Sequence, residues 1–499
     1  MANTFVVSRN HLIFGLCLPL AVLLGYLLAE PMESSSLAVV VMVLSVLVVP
    51  VLMRWHHLLL VLCWNATICP QFLPGRPDLW MAMGFTSLLF AVLGRAVNPN
   101  RKFLHVPALT WSLASLLVVV FCTAYGTGGI GVHALGSSTY GGKGYFFLLA
   151  AVVGYFALTS QVIPRRHAPL YVALFFLSGL TSMISTLAYL AGPGASFLYD
   201  FFPPNVEASS TEMPLALGGS GVRMSGLMQA GFAVFYFLLA RWGVTGLFDL
   251  GRPWRLALLL GAGFVSMYGG FRSAVMFQLV IFAFLFWIEG LWRTRYLALT
   301  LGVGLAAAAV FLPFADRMPL SVQRAVSFLP VKVDPLVKQS AQVSTEWRLE
   351  IWKNVWPDVP RYLFKGKGYA LDPHELYGTW DNAVRGYARS TEVAAMAGDY
   401  HNGPLSVVIP FGIYGVAAFV WFLAAGVRVL LQNYRCGDPE LRTINGLLLS
   451  LFVTRIIFFF FVFGALYHDL FQFTGLAGLS VALNGGVRRP DPEVEPAAS

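Results

Sequence analysis

The sequence predicts an all-α polytopic membrane protein, with about 14 transmembrane helices and one large, mainly helical polar loop. Hydrophobic residues make up 57% of the 499-residue chain and charged residues only 11%, whereas a soluble domain is about 25% charged. The mean hydropathy of +0.70 agrees with this composition. The third observation is a series of apolar runs of about 15 to 22 residues, the length that a helix needs to cross a bilayer.

The apolar runs define the predicted spans and their order. Taking each run as one span gives about 14 helices, within a range of about 12 to 14. The predicted spans are 11–29, 37–53, 57–70, 79–94, 106–124, 145–160, 169–190, 224–240, 254–269, 274–289, 296–314, 404–427, 443–463 and 467–484.

Two of these spans have irregular features. The first follows Arg9 and could be a cleavable signal peptide, but its apolar stretch is long for one. The following Glu30-Pro31-Met32-Glu33 makes a poor small-residue cleavage site, so a retained helix is favoured. The third span contains Asn65 and Pro70, which predicts a tilted or half-length helix.

The distribution of basic residues orients the chain in the membrane. With the amino terminus inside, the inside loops hold most of the arginines and the short outside loops hold few. This asymmetry is what the positive-inside rule requires, and the large loop is too long to count. Both termini are therefore predicted inside and the large loop outside. The inside residues are Arg54, Arg95, Arg101, Lys102, Arg165, Arg166, Arg241, Arg252, Arg255, Arg293, Arg295, Arg428, Arg435, Arg442, Arg488 and Arg489, and the outside ones are Arg76, Lys143, Arg223 and Arg272.

The predicted organisation has four parts. Transmembrane helices fill 1–315, the polar loop is 316–403, further transmembrane helices fill 404–484, and 485–499 is a disordered tail. The loop carries more than a third of the formal charges and ends close to His401. A basic, histidine-terminated loop at a membrane surface suggests chemistry on an anionic substrate.

Composition also excludes several classes of function. The net charge of +9 could suggest nucleic-acid binding, but no basic run with interleaved aromatics lies outside the membrane. The cysteines lie mostly inside apolar runs, so neither a disulfide framework nor a zinc cluster is indicated. They are Cys17, Cys63, Cys69, Cys122 and Cys436.

No metal ion and no cofactor are predicted. No outside Asp-x-Asp is present, and Asp372-Pro373-His374-Glu375 lacks a second histidine four residues after the first. The glycine-rich stretch 126–144 contains Lys143-Gly144. It lacks the Ser or Thr that follows the lysine of a nucleotide-binding loop, so it is not read as one.

Three arginines are predicted at the outer edge of the bilayer. Arg223 precedes a helix in Arg223-Met224-Ser225-Gly226, and Arg272 lies in an outer hairpin after Tyr268-Gly269-Gly270-Phe271. Arg348 lies on an amphipathic helix predicted to begin near Ser344 or Thr345 and to end at Pro357, where Trp352 shares its face.

Each arginine taken singly is explained as well by snorkelling to lipid phosphates or by simple solvation. Together they carry a stronger hypothesis, because short outside loops are otherwise depleted in positive charge. Guanidinium groups bind phosphate oxygens bidentately and stay charged at any relevant pH. Several on one site would hold a diphosphate.

His401 is the candidate general base. It lies in Asp399-Tyr400-His401-Asn402, just before the next apolar run. An imidazole titrates near neutrality and can accept a proton from a hydroxyl nucleophile, and the nearby Asp399 could raise its basicity. The alternative is an interfacial histidine that caps a helix. Aromatic residues of the loop, Trp352 among them, could stack on sugar rings or simply pack the loop onto the membrane.

These motifs resemble, in order and spacing, those of the O-antigen ligase and polymerase superfamily of bacterial membrane glycosyltransferases. The resemblance covers about residues 220–430 and rests on Arg223-Met224-Ser225-Gly226, the hairpin before Arg272, Arg348 to Trp352 with Gly366-Lys367-Gly368, and His401-Asn402. Tyr268-Gly269-Gly270-Phe271 stands where the family has a serine-rich run.

The resemblance implies a GT-C-type fold in a bacterial inner membrane, with cytoplasmic termini and a periplasmic loop. It implies a glycan donor on undecaprenyl diphosphate, with lipid A core or a lipid-linked glycan as acceptor. His401 and Arg348 would then be catalytic, and Arg223, Arg272 and Arg348 would bind the diphosphate. Trp352, Asp399 and Asn402 are possible acceptor or sugar contacts. Ligase activity is placed before polymerase activity, and protein O-glycosylation is a third option.

A transporter is the competing class, since 14 spans would suit one. Against it, the span interiors contain essentially no Asp or Glu, which ion-coupled carriers commonly need at mid-membrane. Arg455 is the one charge predicted inside a span. It could bind a lipid phosphate or pair with a backbone carbonyl, and the sequence is compatible with both roles.

Overall fold

A computed structural model describes residues 48–71, 75–98, 103–128, 142–204, 223–370 and 400–489, with the backbone of 34–47 and 206–207 and isolated positions elsewhere. Within them the chain is overwhelmingly helical. The α-helices are α1 Ser34–Cys63, α2 Leu79–Val97, α3 Pro107–Thr127, α4 Gly142–Leu158, α5 Ala168–Leu177, α6 Ser182–Ala191, α7 Ser225–Leu247, α8 Trp254–Ser266, α9 Arg272–Ile288, α10 Arg295–Phe311, α11 Leu320–Val326, α12 Pro335–Val355, α13 Val359–Tyr362, α14 Gly403–Cys436, α15 Arg442–Phe461 and α16 Leu466–Asn484.

The helices confirm the predicted all-α polytopic membrane fold. Among the described residues, 7 helical segments are long and apolar enough to cross a membrane, and three shorter apolar helices accompany them. The predicted total of about 14 spans stays a prediction. The first predicted span, 11–29, and the tail beyond residue 489 lie almost entirely outside the described residues.

The prediction of an inside loop at Arg54 is wrong, because α1 runs without a break from Ser34 to Cys63. This helix joins the second and third predicted spans. Two buried histidines of α1 have polar partners in this interior. His56 Nδ1 lies 2.8 Å from Ser87 Oγ, and His57 Nε2 lies 2.8 Å from the carbonyl oxygen of Leu158. A buried imidazole that is hydrogen-bonded costs far less than one without a partner.

The segment after α1 is irregular, so the second half of the third predicted span is not helical, while its first half is the end of α1. Asn65 Nδ2 donates to the carbonyl of Phe175 over 2.8 Å, and the backbone N–H of Thr67 donates to Thr181 Oγ1 over 2.9 Å. Both acceptors lie near the 3₁₀ turn Ser178–Thr181, which divides the predicted span 169–190 into α5 and α6. The irregular segment after α1 therefore donates hydrogen bonds to the interrupted segment between α5 and α6.

The core of the bundle is tightly packed around the side chain of Trp64. This indole is fully buried and packs 5.7 Å from the Trp80 ring, measured between centroids. Gly154 of α4 and Gly475 of α16 face it, and a Cβ atom at either position would overlap the indole. The absence of a side chain at these two glycines therefore lets α4 and α16 approach each other beside the tryptophan.

Two short strands and the loop helices surround the entrance to α7. Val206–Glu207 (β1) pairs antiparallel with Arg223–Met224 (β2), with Glu207 opposite Arg223. In the polar loop, α11 packs on the 3₁₀ turn Met267–Gly269 that precedes α9. Helix α12 follows α11, and α13 packs on α14.

We predict that Gly475→Ala destabilises the protein, because the new methyl group would displace the buried indole of Trp64. Overpacking of this kind costs about 1–3 kcal/mol, measurable as a lower Tm of the purified protein in detergent. Gly261→Ala in α8 is the control, since nothing lies within 4 Å of a Cβ there. An equal fall in Tm for both variants would contradict the packing argument.

Candidate functional site

Arg223 is positioned by the ribbon and by the hairpin before α9. Its guanidinium carbon lies 5.4 Å from the centre of the Phe271 ring, a cation–π arrangement. Gly270, next to that phenylalanine, has a left-handed backbone with φ 68°, which favours glycine. A Cβ there would contact Cγ of Arg223 at 3.4 Å. The glycine-rich hairpin thus fits closely against the arginine.

Arg272 joins the membrane hairpin to the polar loop. It is the first residue of α9, and its Nη2 donates to the carbonyl of Ala341 over 3.1 Å and to Thr345 Oγ1 over 2.9 Å. Both acceptors belong to α12. Thr345 also donates its hydroxyl to the carbonyl of Ala341 over 3.0 Å, so the three groups form one small network.

Arg348 lies one helical turn beyond Thr345 on α12 and is half-buried. Burial lowers the pKa of its guanidinium, and the positive charges of Arg272 and Arg223 lower the pKa further. The structure therefore brings the three sequence-predicted arginines within electrostatic range of one another, from a ribbon, a membrane helix and a loop helix. We call these three residues the arginine cluster.

His401 lies at the junction between the polar loop and α14. Its imidazole packs between the rings of Trp347 and Phe463, each with its centroid 5.2 Å away. Trp347 is the neighbour of Arg348 on α12, so the histidine and the arginine cluster contact the same helix. His401 has a positive φ of 46°, a conformation that is uncommon outside glycine and that concentrates at functional sites.

The other candidate contacts have identifiable structural bonds. Asn402 Oδ1 accepts the backbone N–H of Leu405 over 3.1 Å and so caps α14. Trp352 donates its indole N–H to the carbonyl of Tyr400 over 2.9 Å, which holds α12 against the residue before His401. Asp399 lies outside the described residues. A role in sugar or acceptor contact stays a prediction for all three.

The Gly-x-Gly turn enters a kink of α14. Lys367 N–H donates to the carbonyl of Ile409 over 2.8 Å, and Gly368 N–H donates to the carbonyl of Pro410 over 2.9 Å. The helix bends there because Pro410 lacks an N–H and Gly412 has φ 61°. The motif that sequence analysis singled out thus fastens the loop to the membrane helix that follows His401.

Two aromatic residues of the site are not predicted by the sequence. In the sequence Phe271 is simply a residue of the hairpin, and no pattern connects Phe463 with His401, since they are far apart along the chain. Each was hidden for the same reason. The sequence around a phenylalanine carries no sign of the guanidinium or imidazole group that its ring will contact.

The fold and site together define a class of protein: a polytopic α-helical membrane protein in which a membrane hairpin and a polar loop share a cluster of arginines. Residues 256–420 match the O-antigen ligase family model, over less than half of the chain. The matched region includes Arg272, Arg348 and His401, whereas Arg223 precedes it. No curated protein matches the chain. Over that region the chain is similar to the O-antigen ligase family, which supports the resemblance that the motifs predicted.

We predict that Trp352→Phe loosens the docking of α12, because it removes the indole N–H and leaves the carbonyl of Tyr400 without that donor. The loss should be about 1 kcal/mol. Hydrogen–deuterium exchange of peptides from 335–355 measures it, as faster exchange in the variant. The matched control is Trp356→Phe, at a ring that is mostly exposed. Identical exchange in the two variants would refute the role of this bond.

Proposed function

We propose that the protein transfers a glycan from undecaprenyl diphosphate to an acceptor hydroxyl at the periplasmic face of the bacterial inner membrane. The observation that carries this proposal is the convergence of Arg223, Arg272 and Arg348, because the positive charges of Arg223 and Arg272 lower the pKa of the Arg348 guanidinium. An anion bound there would relieve this repulsion. The match of residues 256–420 to the O-antigen ligase family model supports the same activity.

A diphosphate suits the arginine cluster chemically. Several guanidinium groups can donate paired hydrogen bonds to its oxygens and can offset its multiple negative charges. During transfer the diphosphate becomes the leaving group and gains negative charge. Cations fixed in place before the reaction stabilise that developing charge without a costly reorganisation. The arginines thereby supply the positive charge that a metal ion supplies in other transferases.

His401 is proposed to act as the general base. Its imidazole accepts the proton of the acceptor hydroxyl while that oxygen forms a bond to the anomeric carbon. The bond from this carbon to the diphosphate oxygen breaks, and the electron pair leaves with the lipid diphosphate. Attack opposite the leaving group gives inversion at the anomeric carbon. Support comes from the position of His401, which shares the α12 contact surface with the arginine cluster.

The packing of the imidazole suits this role. Trp347 and Phe463 hold the ring from two directions, which limits its rotation before the acceptor arrives. A base that is already oriented loses less entropy when it engages the hydroxyl. The unusual backbone angle of His401 is consistent with a side chain that is aimed by its surroundings.

Arg348→Gln should lower the rate of glycan transfer by about 100-fold or more, because one charge that stabilises the leaving group is removed. The assay uses purified protein, a lipid-diphosphate glycan and candidate acceptors, with product separated by gel. Arg361→Gln, at an exposed arginine of the same loop, is the control and should transfer at the normal rate. Equal rates for Arg348→Gln and the control would overturn the role of the cluster.

His401→Ala should lower the same rate by about 10²–10⁴-fold, the usual contribution of a general base. The binding affinity for the lipid-diphosphate donor should change little, because the arginines remain. A measurement of donor binding alongside the transfer rate separates these effects. Undiminished transfer in His401→Ala would remove the histidine from the mechanism.

The acceptor is proposed to be lipid A core, which makes the protein a ligase. A deletion strain should then accumulate free lipid-linked polymer while its lipid A core remains unsubstituted, visible by gel analysis of surface polysaccharide. Lipid A capped with single repeats would indicate a polymerase instead. Loss of glycan from proteins, with normal surface polysaccharide, would indicate a protein O-glycosyltransferase.

A further inference from the structure

A polar cavity lies inside the helix bundle, away from the contacts of the arginine cluster. It has a volume of about 150 Å³, whereas one water molecule needs only about 10–15 Å³ of such volume. Phe232 and Leu476 are among its apolar walls. Its polar side chains come from four segments of the chain, because two of them lie on α7: Asn65, Gln229, Tyr236, Arg455 and Gln472.

Arg455 is the charged group of this cavity. Its guanidinium carbon lies 5.5 Å from the centre of the Phe277 ring. Its Nε is buried, and no acceptor for it exists in the described part of the chain. The backbone-carbonyl pairing that the sequence left open is therefore not made at Nε. Asp469 is an electrostatic neighbour, but its carboxylate accepts the backbone N–H of Ala465 over 2.8 Å.

The uncharged polar groups add hydrogen-bond donors. Gln229 Oε1 accepts the hydroxyl of Thr67 over 3.3 Å, which leaves the NH₂ group of the same amide to meet a ligand. The Asn65 amide is already bonded through Nδ2 to the carbonyl of Phe175. With the Arg455 guanidinium and the Tyr236 hydroxyl, the cavity offers donors and one positive charge between apolar walls.

The cavity lies beneath the arginine cluster. Arg455 is six residues before the end of α15 at Phe461, a depth of about 9 Å at 1.5 Å per residue. Gln229 lies in the second turn of α7, which starts two residues after Arg223. Phe277, which contacts Arg455, lies about one and a half turns along α9 from Arg272. Helices α7 and α9 thus lead from the cluster toward the cavity.

We propose that this cavity binds a phosphate group carried by a polyprenyl lipid, as a second station below the arginine cluster. The inference rests on the proposed function in one respect, the use of a lipid-linked diphosphate as substrate. The guanidinium and amide donors match phosphate oxygens, and the aromatic and aliphatic walls match an attached hydrocarbon chain. A charge inside a bundle is expensive to keep unless it serves such a ligand.

The second station suits the lipid diphosphate that is released after glycan transfer. When the bond to the anomeric carbon breaks, the lipid diphosphate keeps the electron pair and gains negative charge. A further cation deeper in the bundle can then hold a phosphate of the product as the glycan departs with its acceptor. The glycosylated donor carries less charge and is drawn to the cavity less strongly.

The test uses a thiol placed in the cavity wall. The full-length protein carries Leu476→Cys in a background without its five native cysteines, and a small thiol reagent reports access to that position. With polyprenyl diphosphate at about ten times its Kd, about one tenth of the molecules stay unliganded, so the labelling rate falls about tenfold. Polyprenol, the neutral alcohol, should protect far less.

Variants assign the protection to the cavity. Arg455→Gln should abolish it, and Arg241→Gln, at an exposed arginine of α7, should leave it intact. Arg348→Gln should lose transfer but keep protection, which distinguishes failure of the proposed function from failure of this inference. Full protection in Arg455→Gln, or equal protection by polyprenol, would overturn the phosphate site. Equal protection by inorganic diphosphate would overturn the lipid source.

Discussion

The two hydrogen bonds that Arg272 donates to helix α12 are the interaction on which the candidate site depends. They tie the first residue of a membrane helix to Ala341 and Thr345 of the polar loop. Arg348 follows Thr345 by one helical turn, so the same contact carries it toward Arg223. These hydrogen bonds therefore help to hold together three cations that lie on separate segments of the sequence.

The three guanidinium groups of the arginine cluster repel one another, and the surrounding structure holds them together against this repulsion. Like charges in a half-buried region disfavour one another, yet the hairpin, the ribbon and α12 are fixed by hydrogen bonds and close packing. The Gly-x-Gly turn adds a second attachment, because it enters the kink of α14 just beyond His401. A cluster held in this way is ready for an anion, whose binding relieves the repulsion.

Polar groups buried inside the bundle also depend on hydrogen-bond partners. His56 and His57 pass through the apolar interior because each meets a specific acceptor or donor. Around Arg455 the interrupted segments beside Asn65 and Gly179 open a cavity instead. Helix interruptions and buried polar groups occur together, since a broken helix leaves backbone groups that need side-chain partners.

The sequence by itself determined the all-α membrane fold, because long apolar runs leave a helix as the natural way to cross lipid. It also determined the chemistry of Arg223, Arg272, Arg348 and His401, since guanidinium and imidazole groups keep their properties in any fold. Tertiary structure decided the continuity of α1 through Arg54, the sandwich of His401 by Trp347 and Phe463, and the cavity at Arg455. Those features depend on contacts between residues far apart in the chain, and local patterns carry no record of such contacts.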